Sequence, residues 1–265
     1  MKKLASLLFL SIYFISAKAD DFSHLGSTLN YSDSLKSAKK ITSIDKALKD
    51  PSKVINLELF IDQTGANYKK FCNNISKFSN LRKLYIVDYY ALELELPEGL
   101  WELKKLEYLS LDNFKNKKVD GISKLTELKY LNLDEFNFAS IPEEIFQLKN
   151  LVVLDLSMNL LKELPLSISS LTNLRELELT NNCFTEIPTN ITILPKLEYL
   201  TINNADFSGF LKPDMNTCEN TIARFPDVLA QMSNMKHVAC FYGVKCDKAM
   251  KKQIHEKYAN ITFDK

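Results

Sequence analysis

The sequence predicts an α/β solenoid, a curved horseshoe whose concave face carries a parallel β-sheet of about nine short strands. Three observations support this fold class. A motif of the form L-x-x-L-x-L recurs along the chain, its second leucine returns every 23 residues in the middle, and an L-P or I-P step follows each clear copy. A unit of this length cannot bury its apolar side chains alone, so the copies are expected to stack.

The second leucine of the motif sets the register of the array. Successive copies place it, or an apolar substitute, at Leu57, Leu84, Leu109, Leu131, Leu154, Leu177, Leu200, Val238 and Ile261. In the L-x-L core of the motif both leucines point to one face of a strand, and the residue between them points to the other. The leucines therefore form the predicted core, and the intervening residues form the predicted concave face.

The first residues predict a secretory signal peptide over residues 1–19. Lys2 and Lys3 precede an apolar run, and Ala17-Lys18-Ala19 forms a cleavage site of the small-x-small type. The short form is typical of bacteria. We expect a mature chain that begins at Asp20 and is secreted or held in the cell envelope, in the periplasm or at the cell surface. No later apolar run is long enough to span a membrane.

Both ends of the array are predicted to be capped. Apolar residues recur at helical spacing from Leu35 to Leu48, and Pro51 ends the pattern, which predicts a helical cap over residues 20–50. The array then occupies residues 51–246. Residues 247–265 are predicted to form a capping helix, with Met250, Ile254 and Tyr258 on one face, followed by a last strand.

Two features interrupt the regular repeat. Between Leu200 and Val238 the spacing grows from 23 to 38 residues, which predicts a surface insert near 208–221. Asn159 and Asn182 stand where the chain leaves a strand, and an amide there can satisfy buried turn backbone. The equivalent positions in other repeats do not carry asparagine; they are Tyr89, Phe114, Phe136 and Ala205. We therefore expect this asparagine ladder to be confined to the middle of the array.

The mature chain carries all five cysteines, an odd number, so at least one thiol stays unpaired. Cys240 takes a leucine position and is expected to be a buried thiol. Cys218, in the insert, and Cys246, after the eighth strand, leave the sheet by the same edge and are predicted to form a disulfide. The rival pairing is Cys218 with Cys240. Cys72 and Cys183 have no evident partners.

These motifs resemble the leucine-rich repeat family, in its typical 23-residue class. The array opens with a segment of the form A-L-x-x-P-x-K-V-x-x-L-x-L, from Ala47 to Leu59, which is similar to secreted bacterial members. The resemblance extends over about residues 45–263. It implies a horseshoe fold and a binding role, and it names no partner.

The residues between the leucines predict a protein-binding site on the concave face. Tyr108 and Tyr130 are expected to stack, and Asp88, Asp112 and Asp134 to form an acidic row. Tyrosines are enriched at interfaces, and clustered acids favour a basic partner. We therefore expect a protein partner with a basic patch. The full candidate site is Tyr85, Asp88, Tyr108, Asp112, Tyr130, Asn132, Asp134, Asp155, Glu176, Glu178, Tyr199, Phe241 and Tyr242.

Other classes of function find little support in the sequence. Removal of the signal peptide takes three lysines from a chain of 34 basic and 33 acidic residues, so a slightly acidic protein remains and nucleic acid is not an expected partner. No catalytic, phosphate-binding, cofactor or metal motif is present, so neither an enzyme nor a cofactor is expected. The alternative is a structural component of the cell envelope that self-associates without a dedicated ligand. The sequence leaves the oligomeric state open.

Overall fold

The chain forms one open parallel sheet in which each strand pairs with the next in sequence order. A computed structural model describes residues 31–115, 117–204, 219–222, 227–240 and 248–263. Ten strands lie within these residues, one more than predicted. They are β1 (Lys40–Ile41), β2 (Asn56–Phe60), β3 (Lys83–Val87), β4 (Tyr108–Asp112), β5 (Tyr130–Asp134), β6 (Val153–Asp155), β7 (Glu176–Glu178), β8 (Tyr199–Thr201), β9 (His237–Ala239) and β10 (Thr262–Phe263).

The additional strand comes from the segment predicted as an N-terminal cap helix. That segment forms two short helices, α1 (Asp33–Lys36) and α2 (Ile44–Ala47), with β1 between them. The hydroxyls of Ser32 and Ser43 each accept a backbone N–H in the first turn of a separate helix. Serine favours such capping positions over helix interiors. The helical spacing from Leu35 to Leu48 therefore corresponds to two short helices, because the residues between them form β1 and pair with β2.

Short 3₁₀ helices return the chain on the side opposite the sheet. A longer helix, α3 (Ala66–Cys72), precedes the first of the full repeats. Each 3₁₀ helix of the central repeats buries one isoleucine against the strand leucines, which gives one continuous core along the array. The 3₁₀ helices are Pro51–Lys53, Ile75–Lys77, Glu98–Glu102, Ile122–Lys124, Glu143–Gln147, Leu166–Ser170, Thr189–Ile193 and Asp227–Gln231.

Buried asparagines hold the turns that follow the central strands. The side-chain amide of Asn159 donates to the carbonyls of Leu133 and Leu156 at 3.0 Å, and its oxygen accepts the N–H of Phe138 at 2.8 Å. Asn182 repeats this pattern one repeat later. Each amide thus bonds to backbone of its own repeat and of the preceding repeat, as the sequence predicted.

The asparagine ladder continues one step further than predicted. Asn220 takes the place that the sequence spacing assigns to Ala205, and its amide donates to the carbonyls of Leu179 and Ile202. Asn204 faces it, because the Asn220 N–H and carbonyl bond to the Asn204 side chain at 2.8 Å each. Asn204 and Asn220 therefore bond to each other on either side of the insert. The regular repeat has resumed by Asn220, which lies within the insert predicted near 208–221.

The turns after β4 and β5 carry aromatic residues at the same position. Phe114 and Phe136 are buried with ring centroids 6.4 Å apart, and Tyr68 of α3 lies 5.8 Å from Phe114. The C-terminal end matches the expected cap: α4 (Lys248–Lys257) buries Ile254, and β10 closes the sheet. Among the described residues, no helix has the length and apolar character needed to cross a membrane.

Candidate protein-binding surface

The strand register orders the side chains that point away from the leucine core into columns, and we call this side the concave face. The first column follows the first residue of each strand. Its members are Asn56, Lys83, Tyr108, Tyr130, Val153, Glu176, Tyr199 and His237. The second column lies two residues further along. Its members are Glu58, Tyr85, Ser110, Asn132, Asp155, Glu178, Thr201 and Ala239.

An aromatic cluster occupies the first half of this face. Tyr108 and Tyr130 stack with ring centroids 4.1 Å apart and planes 3° from parallel, which confirms the expected stacking. Aromatic contacts of this kind add to the free energy of simple burial. We define the aromatic cluster by its buried members and the apolar side chains that pack on them: Tyr31, Phe60, Tyr85, Val87, Tyr89, Tyr108, Tyr130, Val152, Val153 and Tyr199.

Three aromatic members of this cluster were not among the sequence candidates. Phe60 contacts Tyr85 edge to face at 5.8 Å and stacks on Tyr89 at 6.0 Å. Phe60 stands two residues beyond Glu58 on β2, so strand alternation alone could have identified it. Tyr31 could not be found in this way, because it precedes the array. Tyr31 is the first described residue of the chain, and its side chain packs against the cluster.

The segment that begins at Tyr31 lies against the sheet. The backbone N–H of Ser32 donates to Oε2 of Glu107 at 2.7 Å, across 75 residues of sequence. Burial, together with nearby Tyr108 and Glu107, raises the pKa of the Tyr31 phenol. The N-terminal segment is therefore part of the concave surface.

The acidic row predicted from the sequence is only partly formed. Asp112 and Asp134 are register partners, as expected, but the partner of Asp112 on β3 is Val87 and not Asp88. Asp88 instead caps the following turn, where its carboxylate accepts the N–H of Leu92 at 2.7 Å. Burial raises the pKa of Asp88 although these backbone bonds oppose the shift. Its assignment to the row was wrong because one residue of offset reverses the direction of a strand side chain.

A carboxyl triad, Asp155, Glu176 and Glu178, lies beside the aromatic cluster. Asp155 is the register partner of Glu178, and all three side chains are buried. Asn132, one strand earlier in the same column, donates its amide to Asp155 at 3.4 Å. Burial raises the pKa of Glu178 well above its ordinary value, and the charges of Asp155 and Glu176 add to this effect.

Two charge ladders run along the edge where the strands begin, and the sequence reasoning did not find them. Oε1 of Glu107 bonds to Arg82 at 2.8 Å, and Oε2 bonds to Lys129 at 3.0 Å. Glu198 repeats the arrangement with Arg175 at 2.8 Å and Lys236 at 2.7 Å. Burial raises the pKa of both glutamates, but the bonds they accept outweigh it and hold each pKa below its usual value. The signal was the alternation of basic and acidic residues just before successive strands.

Lys83, the basic residue of the first column on β3, is also paired. Its Nζ lies 3.6 Å from Glu58 and 4.4 Å from the ring centroid of Tyr108. Lys40 contacts Glu58 from β1 at 3.1 Å. These basic side chains are therefore engaged within the protein itself.

Some of the sequence expectations concern residues outside the described part of the chain. These are Phe241, Tyr242, Cys218 and Cys246, together with the signal peptide over residues 1–19 and most of the insert near 208–221. Cys240 is a buried free thiol, as predicted.

The remaining described cysteines differ from one another. Cys183, for which the sequence suggested no partner, is disulfide-bonded, whereas Cys72 is a free thiol. If the partner of Cys183 lies within this chain, its disulfide and the predicted Cys218–Cys246 bridge require the same cysteines. The described residues contain no group of His, Cys, Asp and Glu side chains able to hold a metal ion.

Comparison with known proteins agrees with this geometry. A family model described as a leucine-rich repeat region matches residues 112–262, which is more than half of the chain. The chain belongs to the leucine-rich repeat family. Domains of this family generally bind proteins and are generally non-enzymatic scaffolds. A search of curated proteins finds no match to this leucine-rich repeat chain.

Two solved bacterial structures resemble this chain in fold. A leucine-rich repeat protein of Leptospira interrogans is 27% identical with a TM-score of 0.61, and the match covers 85% of this chain and 58% of that one. An internalin of Listeria monocytogenes shares the fold at 15% identity and a TM-score of 0.54, over 80% of this chain and 54% of that one. This leucine-rich repeat chain thus spans little more than half the length of either protein.

Proposed function

We propose that this leucine-rich repeat protein is exported and binds a protein partner with a basic patch through its concave face. The observation that carries the proposal is the adjacency of the aromatic cluster and the carboxyl triad on one sheet face. Tyrosine supplies large, rigid contact area with a polar tip. Carboxylates beside it favour a cationic partner and disfavour an acidic one.

The charge distribution of the face supports a partner and not merely a solvated surface. Glu107 and Glu198 are neutralised by basic residues at the edge of the sheet, whereas the triad stands further along the strands. Buried tyrosine hydroxyls of the cluster, at Tyr85 and Tyr89, have no hydrogen-bond partner. Buried polar atoms are normally satisfied, so a partner segment that supplies donors and acceptors would complete this surface.

The export part of the proposal rests on the sequence of residues 1–19. An exported protein of this kind would meet its partner in the cell envelope or on a host. Fusion of residues 1–19 to a reporter in a bacterial expression host tests this part. We expect the reporter outside the cytoplasm, with mature material that begins at Asp20. A reporter that stays in the cytoplasm contradicts export without affecting the binding proposal.

The binding part is tested by capture with matched variants of the mature protein. Asp112→Lys, Asp134→Lys and Glu178→Lys together reverse the charge of the concave face, and Glu143→Lys makes one reversal on the exposed opposite side. We expect a cross-linked partner to be lost with the triple variant and retained with the control. Equal capture by both would contradict the concave site.

Self-association, the alternative interpretation of the sequence, is measured in the same samples. Sedimentation of the mature protein over a range of concentrations separates a monomer from an assembling component. We expect a monomer at concentrations where a partner is captured. A concentration-dependent oligomer that the triple variant abolishes would identify a second copy of the chain as the occupant of the face.

A further inference from the structure

The described chain begins on the concave face, ahead of the first strand. The ring of Tyr31 packs against the aromatic cluster, whose members Tyr108 and Tyr130 lie on β4 and β5. Burial is the main cause of the raised pKa values of Tyr31 and Tyr130. The Tyr108 phenol adds to the first shift and the Tyr31 phenol adds to the second, so the three hydroxyls lie near one another. A side chain from outside the repeats therefore lies on the surface that we propose for partner binding.

A charge-assisted hydrogen bond holds this segment beside the cluster. The backbone N–H of Ser32 donates to Oε2 of Glu107 at 2.7 Å. A carboxylate acceptor makes such a bond stronger than one between neutral groups. Glu107 directly precedes Tyr108 of β4, and Arg82 and Lys129 bond to its two carboxylate oxygens. The Tyr31 ring and the Ser32 N–H thus occupy two neighbouring subsites, one aromatic and one a hydrogen-bond acceptor.

The remaining attachments of this segment are few. Among residues 31–39, all of which the structure describes, Leu35 is the single buried side chain. It belongs to neither the leucine core nor the aromatic cluster. Helix α1 spans only four residues, and its backbone hydrogen bonds stay within the segment itself. Segments with few buried apolar contacts open at a low cost in free energy. Departure of this segment from the sheet would therefore leave the leucine core intact.

Tyr31 differs in this respect from the tyrosines that it contacts. Tyr108 and Tyr130 belong to β4 and β5, and each of these strands pairs with a neighbour on both sides. Their backbone positions do not depend on Tyr31, so the aromatic surface is preformed. A preformed surface loses little conformational entropy when it binds a ligand. The same rings would accept the side chain of another protein once Tyr31 has left.

We propose that Tyr31 and Ser32 form a strap that occupies the binding surface from within the chain, and that the partner displaces this strap. The inference rests on the proposed function and adds a means of regulation to it. The displacing segment would meet the same two subsites, so we expect it to present an aromatic side chain and a donor for Glu107. Because the strap must leave first, the partner binds less tightly than it would bind the open surface.

A peptide that copies the strap tests its displacement without knowledge of the partner. The probe is the blocked hexapeptide Tyr-Ser-Asp-Ser-Leu-Lys, which repeats residues 31–36, and its matched control carries alanine in place of tyrosine. The protein is the full mature chain, either unaltered or with Tyr31→Ala. Nuclear magnetic resonance shifts at β4 and β5 should report binding of the tyrosine peptide to the variant. Binding to the unaltered protein should be about tenfold weaker, because a site that is open about one-tenth of the time binds with about one-tenth of its intrinsic affinity.

Tyr90→Ala is the matched control variant, since Tyr90 is a partly exposed tyrosine outside the aromatic cluster. It should bind the peptide no better than the unaltered protein does. Equal affinity of the tyrosine peptide for the unaltered protein and Tyr31→Ala, binding to neither, or equal binding of the alanine peptide would each overturn the strap.

The partner itself supplies a second readout. Tyr31→Ala should capture it at lower protein concentration than the unaltered chain does. If capture is the same for these two proteins but is still lost with the triple variant, the strap fails and the proposed function survives.

Discussion

Two halves of the array place different kinds of buried side chain at the same position of the turn after the strand. After β6, β7 and β8 a buried asparagine joins neighbouring repeats through its amide, at Asn159, Asn182 and Asn220. After β4 and β5 the same position holds Phe114 and Phe136, whose rings pack against each other. The first solution satisfies buried backbone, and the second fills volume. A repeat fold therefore fixes where a side chain must be buried, and leaves its chemistry open.

In the aromatic half of the array, the repeats with Phe114 and Phe136, other residues form the hydrogen bonds to the turn backbone. The side-chain amide of Asn113 donates to the Asp88 carbonyl at 2.6 Å, and thus bridges two repeats as the ladder asparagines do. Asp88 itself caps the turn after β3 through its carboxylate. Backbone groups in a turn need partners wherever they are buried, so losing the ladder asparagine requires these replacements. The comparison predicts that the two halves respond differently to substitution.

The largest effect is expected for Phe136→Ala. Removing a fully buried ring from the aromatic half leaves a cavity and should lower the free energy of unfolding by about 3–5 kcal/mol. Phe138, which packs against Phe136 but is only partly buried, is the matched control. Urea unfolding followed by circular dichroism measures both. If Phe136→Ala lowered the free energy of unfolding no more than Phe138→Ala, close packing of the buried phenylalanine rings would be contradicted.

The next effect is expected for Asn182→Ala in the ladder half. It leaves the buried Leu161 N–H without its partner and removes one of two donors from the carbonyls of Leu156 and Leu179, which Asn159 and Asn220 still contact. The unsatisfied N–H and the lost bonds should together cost about 2–3 kcal/mol. The exposed Asn150, which donates to the Thr126 carbonyl, is the control and should change stability by under about 1 kcal/mol. Similar losses in the same unfolding assay would show that burial does not decide the ladder's contribution.

A pH series distinguishes the two kinds of buried glutamate. The pKa of Glu107 is lowered in the folded state, so its stabilisation is present above the ordinary glutamate pKa and is lost as the pH falls through the lowered value. The pKa of Glu178 is raised, so its contribution is instead lost as the pH rises towards that value.

Thermal unfolding between pH 3 and pH 8 measures these slopes. Glu107→Gln should cost about 2 kcal/mol at pH 7 and flatten the acid side of the profile. Glu178→Gln should flatten the neutral side. Profiles parallel to that of the unaltered protein would refute the opposite shifts of the two pKa values.

The smallest effect concerns the described cysteines. We expect alkylation of the unreduced mature protein to modify Cys72 after unfolding, together with Cys240, while Cys183 stays in disulfide linkage. Peptide mapping by mass spectrometry identifies the linked peptides. A free Cys183, recovered together with a Cys218–Cys246 bridge, would restore the pairing predicted from the sequence.

Particular residues show how far the sequence could lead. The stacking of Tyr108 on Tyr130 followed from a single spacing, because equal positions in parallel strands must be neighbours. The same rule placed Asp112 beside Asp134 and was misapplied to Asp88, which stands four residues after Leu84, whereas Asp112 stands three after Leu109 and therefore faces Val87. Ala205 was assigned to the turn position that Asn220 occupies, because the length of an insert does not reveal at which residue the repeat resumes.

The sequence by itself determined the solenoid, its register and the leucine core, because a 23-residue period can bury its apolar face only by stacking. Only the tertiary structure decided which acids are neutralised. Glu107 and Glu178 look alike in sequence, but their pKa values shift in opposite directions because side chains and backbone from other strands surround them differently. The charge of a buried group is set by what surrounds it in space, and for this protein that environment separates structural acids from the candidate binding site.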